Sequence, residues 1–188
     1  FLVVPLSNLK TAQSAITEIP GRPGFSYVSM GNYIFERETL EESVLSDSER
    51  KDSKHDFGRD ILPRLFGTHK LMAYDFSTNV LPGNDKPYWK DVGSIKAYWE
   101  AHMDLLRHES PLSLYNPQWP IRTVSYSDPP GFTYPDKDHS CSVDGCLRAE
   151  ASRVLGAYVR KSVLSRNCII HAGSVVEECI IGQGVEIG

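Results

Sequence analysis

Apolar residues recur every six positions near the end of the chain, at Val163, Ile169, Val175, Ile181 and Ile187. Six is neither the 3.6 of a helix nor the two of a half-buried strand. It is the repeat of a parallel β-helix, in which each short strand and its turn form one side of a triangular coil. The apolar residue of each hexapeptide points inward, and Gly173, Gly182 and Gly184 supply turn positions. The pattern predicts a coil with all five residues in its core and no slip of register.

Upstream the period changes. Val28 to Phe35 predicts a buried strand, and Glu38 to Asp47 a helix with Leu40, Val44 and Leu45 inward. Ser46 to Lys54 is polar and charged, as a surface loop should be. Asp56 is placed to cap a short helix carrying Ile61, Leu62, Leu65 and Phe66, and Pro63 fits near its first turns. Leu71 to Phe76 predicts a strand, and Val80 to Pro87 is rich in turn formers. Ser94 is a good N-cap for a helix in which Ile95, Tyr98, Trp99, His102, Leu105 and Leu106 recur at helical spacing, ending near Arg107. Pro111, Pro117, Pro120, Pro129, Pro130 and Pro135 then break any regular element, which predicts an extended connector. Three parts follow: residues 1–109, a proline-rich linker at 110–140, and the coil at 141–188.

Composition narrows the partners. At 188 residues the chain has room for one domain, or one and a part. A net charge of −4 provides no broad basic surface, so nucleic acid is not an expected partner. No apolar run approaches the length of a membrane span. The first residue is Phe1, and neither a signal nor a transit peptide is visible. Cys141, Cys146, Cys168 and Cys179 match no zinc spacing, even with His139 and His171 nearby, and read as small buried thiols in a cytosolic protein.

The candidate chemistry centres on Tyr88-Trp89-Lys90-Asp91-Val92-Gly93-Ser94, which sets a carboxylate on a loop just before a helix. Such a position faces the crevice of an α/β sheet. The string, with Ala97-Tyr98-Trp99 after it, resembles ADP-glucose pyrophosphorylase, the bacterial glycogen and plant starch enzyme. Ser29-Met30-Gly31-Asn32-Tyr33, His55-Asp56-Phe57-Gly58-Arg59-Asp60 and Trp119-Pro120-Ile121-Arg122-Thr123 resemble that family's motifs in the same order, over residues 25 to 188.

The resemblance implies an α/β fold: part of a nucleotide-sugar transferase (Rossmann-like) domain, then a left-handed parallel β-helix of hexapeptide repeats. It implies adenylyl transfer from ATP to glucose-1-phosphate with Mg²⁺, an allosteric metabolite effector, a homotetramer, and a cytoplasmic location (plastid in a plant). An ATP-binding part upstream and further coils downstream are expected, so this stretch alone would not turn over. Asp91 matches the family's second metal-binding aspartate; its bland role is a turn or cap residue. Ser29 and Tyr33 match contacts to the sugar phosphate, or else line a polar strand face. Asp56 and Phe57 match glucose-side residues, and Asp56 can also serve as an N-cap. Trp89 matches an aromatic of the glucose pocket, or is plain core.

The family carries Glu-Lys-Pro a short way before Ser-Met-Gly. The nearest match is Glu18-Ile19-Pro20, with Ile19 in place of the phosphate-binding lysine. Ile19 opens a second reading, a non-catalytic regulatory subunit of the same family. A third, a hexapeptide acyltransferase, would rest on His171 alone and leave the Asp91 block unexplained.

Overall fold

The structure, a computed structural model, describes residues 2–5, 18–84 and 86–188. By its contacts the chain divides into two compact units, residues 1–79 and 80–188.

The described residues of the first unit hold little regular structure. Strand β1 (Leu2–Pro5) pairs antiparallel with β2 (Phe25–Val28). The strand predicted for Val28 to Phe35 is therefore displaced: β2 ends where it was to begin. Gly31, at φ +76°, and the bond from Gly31 N–H to Ser29 Oγ bend the following chain into a turn. Helix α1 (Arg37–Ser48) forms as predicted, but Val44 and Leu45 are exposed and only Leu40 is half-buried. The buried residue of α1 is instead Asp47. A π-helical turn at Phe57–Ile61 runs into α2 (Leu62–Leu65). Ile61 and Leu65 are buried there, whereas Phe66 is exposed. Leu71 to Asp75 adopts no strand and leads into a 3₁₀ turn at Phe76–Thr78. Among the described residues no strand is paired with this segment, and alternation without pairing does not make a strand.

In the second unit α3 (Ile95–Leu105) is capped as predicted: the Ser94 hydroxyl accepts from Ala97 N–H at 3.2 Å. Beyond it residues 110–131 run without helix or strand, as their prolines predict. The coil follows: β3 (Phe132–Tyr134), β4 (Ser142–Asp144), β5 (Leu147–Arg148), β6 (Arg153–Leu155), β7 (Tyr158–Arg160), β8 (Val163–Leu164), β9 (Ile169–Ile170), β10 (Val175–Glu177), β11 (Ile180–Ile181) and β12 (Glu186–Ile187). They stack in parallel as three faces, β3-β6-β9-β12, β4-β7-β10 and β5-β8-β11.

The coil's core holds Val154, Val159, Leu164, Ile170, Val176 and Ile181, with Ile187 packed against it. This corrects the predicted register. Ile181 and Ile187 point inward as expected and Ile169 is buried, but on the three preceding sides the residue in the central cluster is the next one along, at 164, 170 and 176. Val175 is 73% exposed. The slip arises because the side from Val176 to Ile181 spans five residues rather than six. Its corner is Glu178, at φ +51°. Lys161, one coil earlier, makes the same corner at φ +44°.

Small residues fill the corners. Ser162 is fully buried between Cys146 and Cys179: its N–H donates to Cys146 Sγ, and its hydroxyl accepts from Cys179 N–H at 3.1 Å. Cys168 is fully buried, and burial pushes its thiol pKa up. The linker is strapped to this coil. Arg166 lies 3.5 Å over the Tyr126 ring and its Nε donates to Asp128 at 2.7 Å, while Ala151 N–H donates to Pro129 O.

Candidate functional site

Four of the predicted site residues meet in the first unit. Ser29 Oγ and Tyr33 Oη lie 2.7 Å apart. The Tyr33 ring stands 5.9 Å from that of Phe57, and Phe35 joins both at 6.4 and 5.8 Å. A Cβ added at Gly58 would stand 3.4 Å from Asp56 Oδ1 and 3.5 Å from Tyr33 Oη. The carboxylate and the phenol therefore face one small space that glycine leaves open. Two hydroxyls, a carboxylate and aromatic faces suit a polyhydroxylated ring bearing an anion.

The chain folds this way because polar side chains tie its turns. Asp56 caps the π-helical turn, Oδ1 accepting from Arg59 N–H at 2.8 Å. Asp60 Oδ2 reaches back to the N–H groups of Lys54 and Asp56. His55 has a positive φ of 58°, and its Nδ1 lies 2.8 Å from Asp47 Oδ2. Asp47 also accepts from Ser53 Oγ and pairs with Arg64. That buried carboxylate holds the approach to Asp56 and Phe57 from three directions. It also borders a cavity of ≈ 200 Å³ behind Phe57, lined by Val44, His55 and Ile61. The sequence reading missed Asp47; its position at the end of a helix, before a polar loop, was the only signal.

Glu18 is exposed. Ile19 beside it is 8% exposed and hydrogen-bonded in a tight hairpin, its N–H donating to Phe25 O and its carbonyl accepting from Arg22 N–H. Here the residue in the lysine's place serves the local core. Arg22 stacks 5.3 Å from the Phe25 ring.

Trp89 and Asp91 belong to the second unit. Asp91 is exposed, and its Oδ1 accepts from Gly93 N–H at 2.9 Å, an Asx-turn just ahead of α3. Trp89 is half-buried. The neighbours of these two residues are tied to α3. Lys90 Nζ donates to Asp104 Oδ2 at 2.9 Å and sits 3.7 Å from Glu100, while Tyr88 Oη donates to Asp104 at 3.3 Å. The bond from Lys90 holds the Asp104 carboxyl below the usual carboxylate range and lifts Lys90 above the usual lysine value. Burial raises the Tyr88 phenol. Alternate residues 88 and 90 of this extended loop are thus fastened to α3. Sequence reasoning missed Lys90 and Asp104, although that alternation was there to be read.

Among the described residues, no group of three or more His, Cys, Asp or Glu is placed to hold a metal ion. His171 is an exposed corner residue, its Nε2 3.5 Å from Glu186.

A hydroxyl, carboxylate and aromatic cluster, followed by a capped aspartate loop, a proline-rich connector and a hexapeptide coil, defines a two-part α/β and β-helix protein. The nucleotidyl transferase family model matches residues 8–108, and the GlmU-like C-terminal hexapeptide model matches residues 128–188. The first match covers more than half of the chain, which belongs to the nucleotidyl transferase family.

Relatives agree. The chain is 42% identical over 171 residues to the glucose-1-phosphate adenylyltransferase of Photobacterium profundum, covering 90% of this chain and 42% of the relative. It is 44% identical over 172 residues to that of Aliivibrio fischeri, with the same shares covered. For Corynebacterium jeikeium the identity is 42% over 174 residues, again 90% and 42% of the two chains. The chain thus spans about two fifths of the length of these curated relatives. They bear out the resemblance drawn from the four motifs. No helix among the described residues is long and apolar enough to cross a membrane.

Proposed function

We propose that the whole protein transfers the adenylyl group of ATP to glucose-1-phosphate, giving ADP-glucose and pyrophosphate for glycogen or starch synthesis. The observation that carries this reading is the convergence of Ser29, Tyr33, Asp56 and Phe57 in a chain whose relatives bear that enzyme's name. A phosphate oxygen of the sugar attacks the α-phosphorus of ATP. The bond to the β-phosphate breaks, and pyrophosphate leaves. Ser29 and Tyr33 donate to the sugar phosphate, Asp56 accepts from a glucose hydroxyl, and Phe57 offers a face to the ring; Trp89 is proposed as a substrate-binding aromatic by its motif alone. Glu18 is proposed as a further substrate contact by its motif alone.

Asp91 is the residue that would hold Mg²⁺. Its carboxylate gives one bond to Gly93 N–H and keeps further lone pairs. Mg²⁺ is commonly bound by one or two protein carboxylates supplemented by phosphates and water, and Asp91 would be one of them. When bound, the ion would neutralise charge on the phosphates. The proposed parts are 1–109, a linker at 110–140 and the coil at 141–188; the match at 8–108 supports the first limit, whereas the match at 128–188 and strand β3 (Phe132–Tyr134) favour a coil that begins within the linker. A homotetramer, an allosteric metabolite effector and a cytoplasmic setting complete the proposal. A regulatory subunit is the second reading, favoured by the buried Ile19.

Pyrophosphate release from ATP and glucose-1-phosphate, measured on the whole protein and its Asp91→Asn variant, separates the two. Activity in the parent that falls at least 100-fold in the variant, as losing a metal-orienting group should make it, supports the enzyme. A folded parent without activity favours the regulatory subunit.

A further inference from the structure

Helix α3 is fastened at two places. On one side Lys90 and Tyr88 hold the Asp91 loop to Asp104, and the Ser94 cap fixes where the helix begins. On the other, the Trp99 indole Nε1 donates to the main-chain carbonyl of Glu178 at 2.7 Å, across 79 residues of sequence.

Glu178 is the corner of the five-residue coil side. Its carbonyl is aimed by the coil itself: its N–H donates to Arg160 O at 3.1 Å, its carboxylate lies 3.7 Å from Lys161 Nζ, and Arg160 pairs with Glu177. The acceptor is thus part of a stacked ladder, and the donor belongs to the helix that carries the aspartate loop.

We infer that Trp99 is a positioning residue that makes the β-helix corner at Glu178 the reference point for the Asp91 loop. The chain of contacts runs from the corner carbonyl to the indole, along α3 to Asp104, and through Lys90 and Tyr88 to the loop. A coil held this way does more than extend the molecule. It sets where Trp89 and Asp91 stand, and any ligand or partner that shifts the corner shifts them. The structural part of this inference needs only the contacts above; its catalytic consequence rests on the proposed role of Asp91.

Hydrogen exchange of the whole protein tests the structural part. Trp99→Phe keeps an aromatic ring and removes only the donor. Amides of residues 88–97, including the Gly93 and Ala97 N–H groups that report on the loop and the cap, should exchange about fivefold faster, the change expected of one ordinary hydrogen bond. Lys90→Met should speed the loop amides equally while leaving the corner amides at 177–179 unchanged. Exchange across 88–97 that stays at the parent's rate in a folded Trp99→Phe protein overturns the inference.

Kinetics tests the consequence. In Trp99→Phe the Mg²⁺ concentration for half-maximal rate should rise about fivefold, by the same one-bond reasoning, while the protein stays folded. Faster exchange with an unaltered Mg²⁺ requirement overturns the positioning role. Faster exchange together with a fully active Asp91→Asn protein leaves the tether standing and removes Asp91 from the chemistry instead.

Discussion

The coil and the first unit hold themselves together by different means. The coil buries an unbroken apolar column, with Val154, Ala157 and Ile170 fully inaccessible and each strand paired in register with the next coil. The first unit buries Ile19, Ile61 and Leu65 but leaves Ile34, Leu45 and Phe66 exposed. Its shape depends on polar ties at Asp47, Asp56 and Asp60. A stacked repeat satisfies its side chains with near neighbours, so each coil contributes about as much as the last. A loop-rich segment depends on a few side chains, and each of them matters more locally than globally.

The largest expected effect sharpens the coil side of this contrast. Ile170→Ala should cost about 2–5 kcal/mol, because it opens a cavity in the column. Val175→Ala, at an exposed position, should fall within about 0.5 kcal/mol of the parent. Denaturant midpoints for the pair measure the register directly; equal losses would restore the six-residue spacing and refute the five-residue side.

Asp47→Ala tests the other side. It strands Arg64, Ser53 and His55 together, although Arg64 and His55 are partly exposed and recover some hydration. A loss of roughly 2 kcal/mol is expected, with faster proteolysis confined to residues 49–57. Cleavage spread through both units would show that the polar ties are not local.

The smallest effect is a pH dependence of the loop tether. Asp104 is shifted down by its bond from Lys90, so its contribution is complete above the unfolded carboxylate value of about 4. It fades as pH falls through the lowered folded value. Lys90 is shifted up, so its share is complete below about pH 10 and fades as pH rises through its raised value. Between those limits Lys90→Met should be about 1 kcal/mol less stable than the parent, and the two should converge in strong acid. A constant difference at every pH would remove the charged bond as the cause.

The same contrast decides what could be read from the residues alone. The coil was legible because its period recurs, and the period failed only where Glu178 shortens a side. A hydrophobic count cannot see a corner whose residue is not glycine. In the first unit the displaced strand and the outward Val44 and Leu45 show the limit of apolar spacing where few elements pair. Ser29, Tyr33, Asp56 and Phe57 were found by motif, and the structure joins them. Asp47 and Asp104 escaped because their partners lie 6 to 17 residues away along the chain, a pairing that helical or strand periodicity does not report; for Lys90 the alternation hinted at a tie but not at its partner.

The bond from Trp99 divides the burden of evolution unequally. Its acceptor is a backbone carbonyl, which every amino acid carries. Residue 178 can drift among any side chains that tolerate a left-handed corner, and the contact survives. Residue 99 has no such latitude, since among the large aromatic side chains only tryptophan presents an N–H at that reach. A helix and a coil joined this way can diverge at different rates without losing hold of each other.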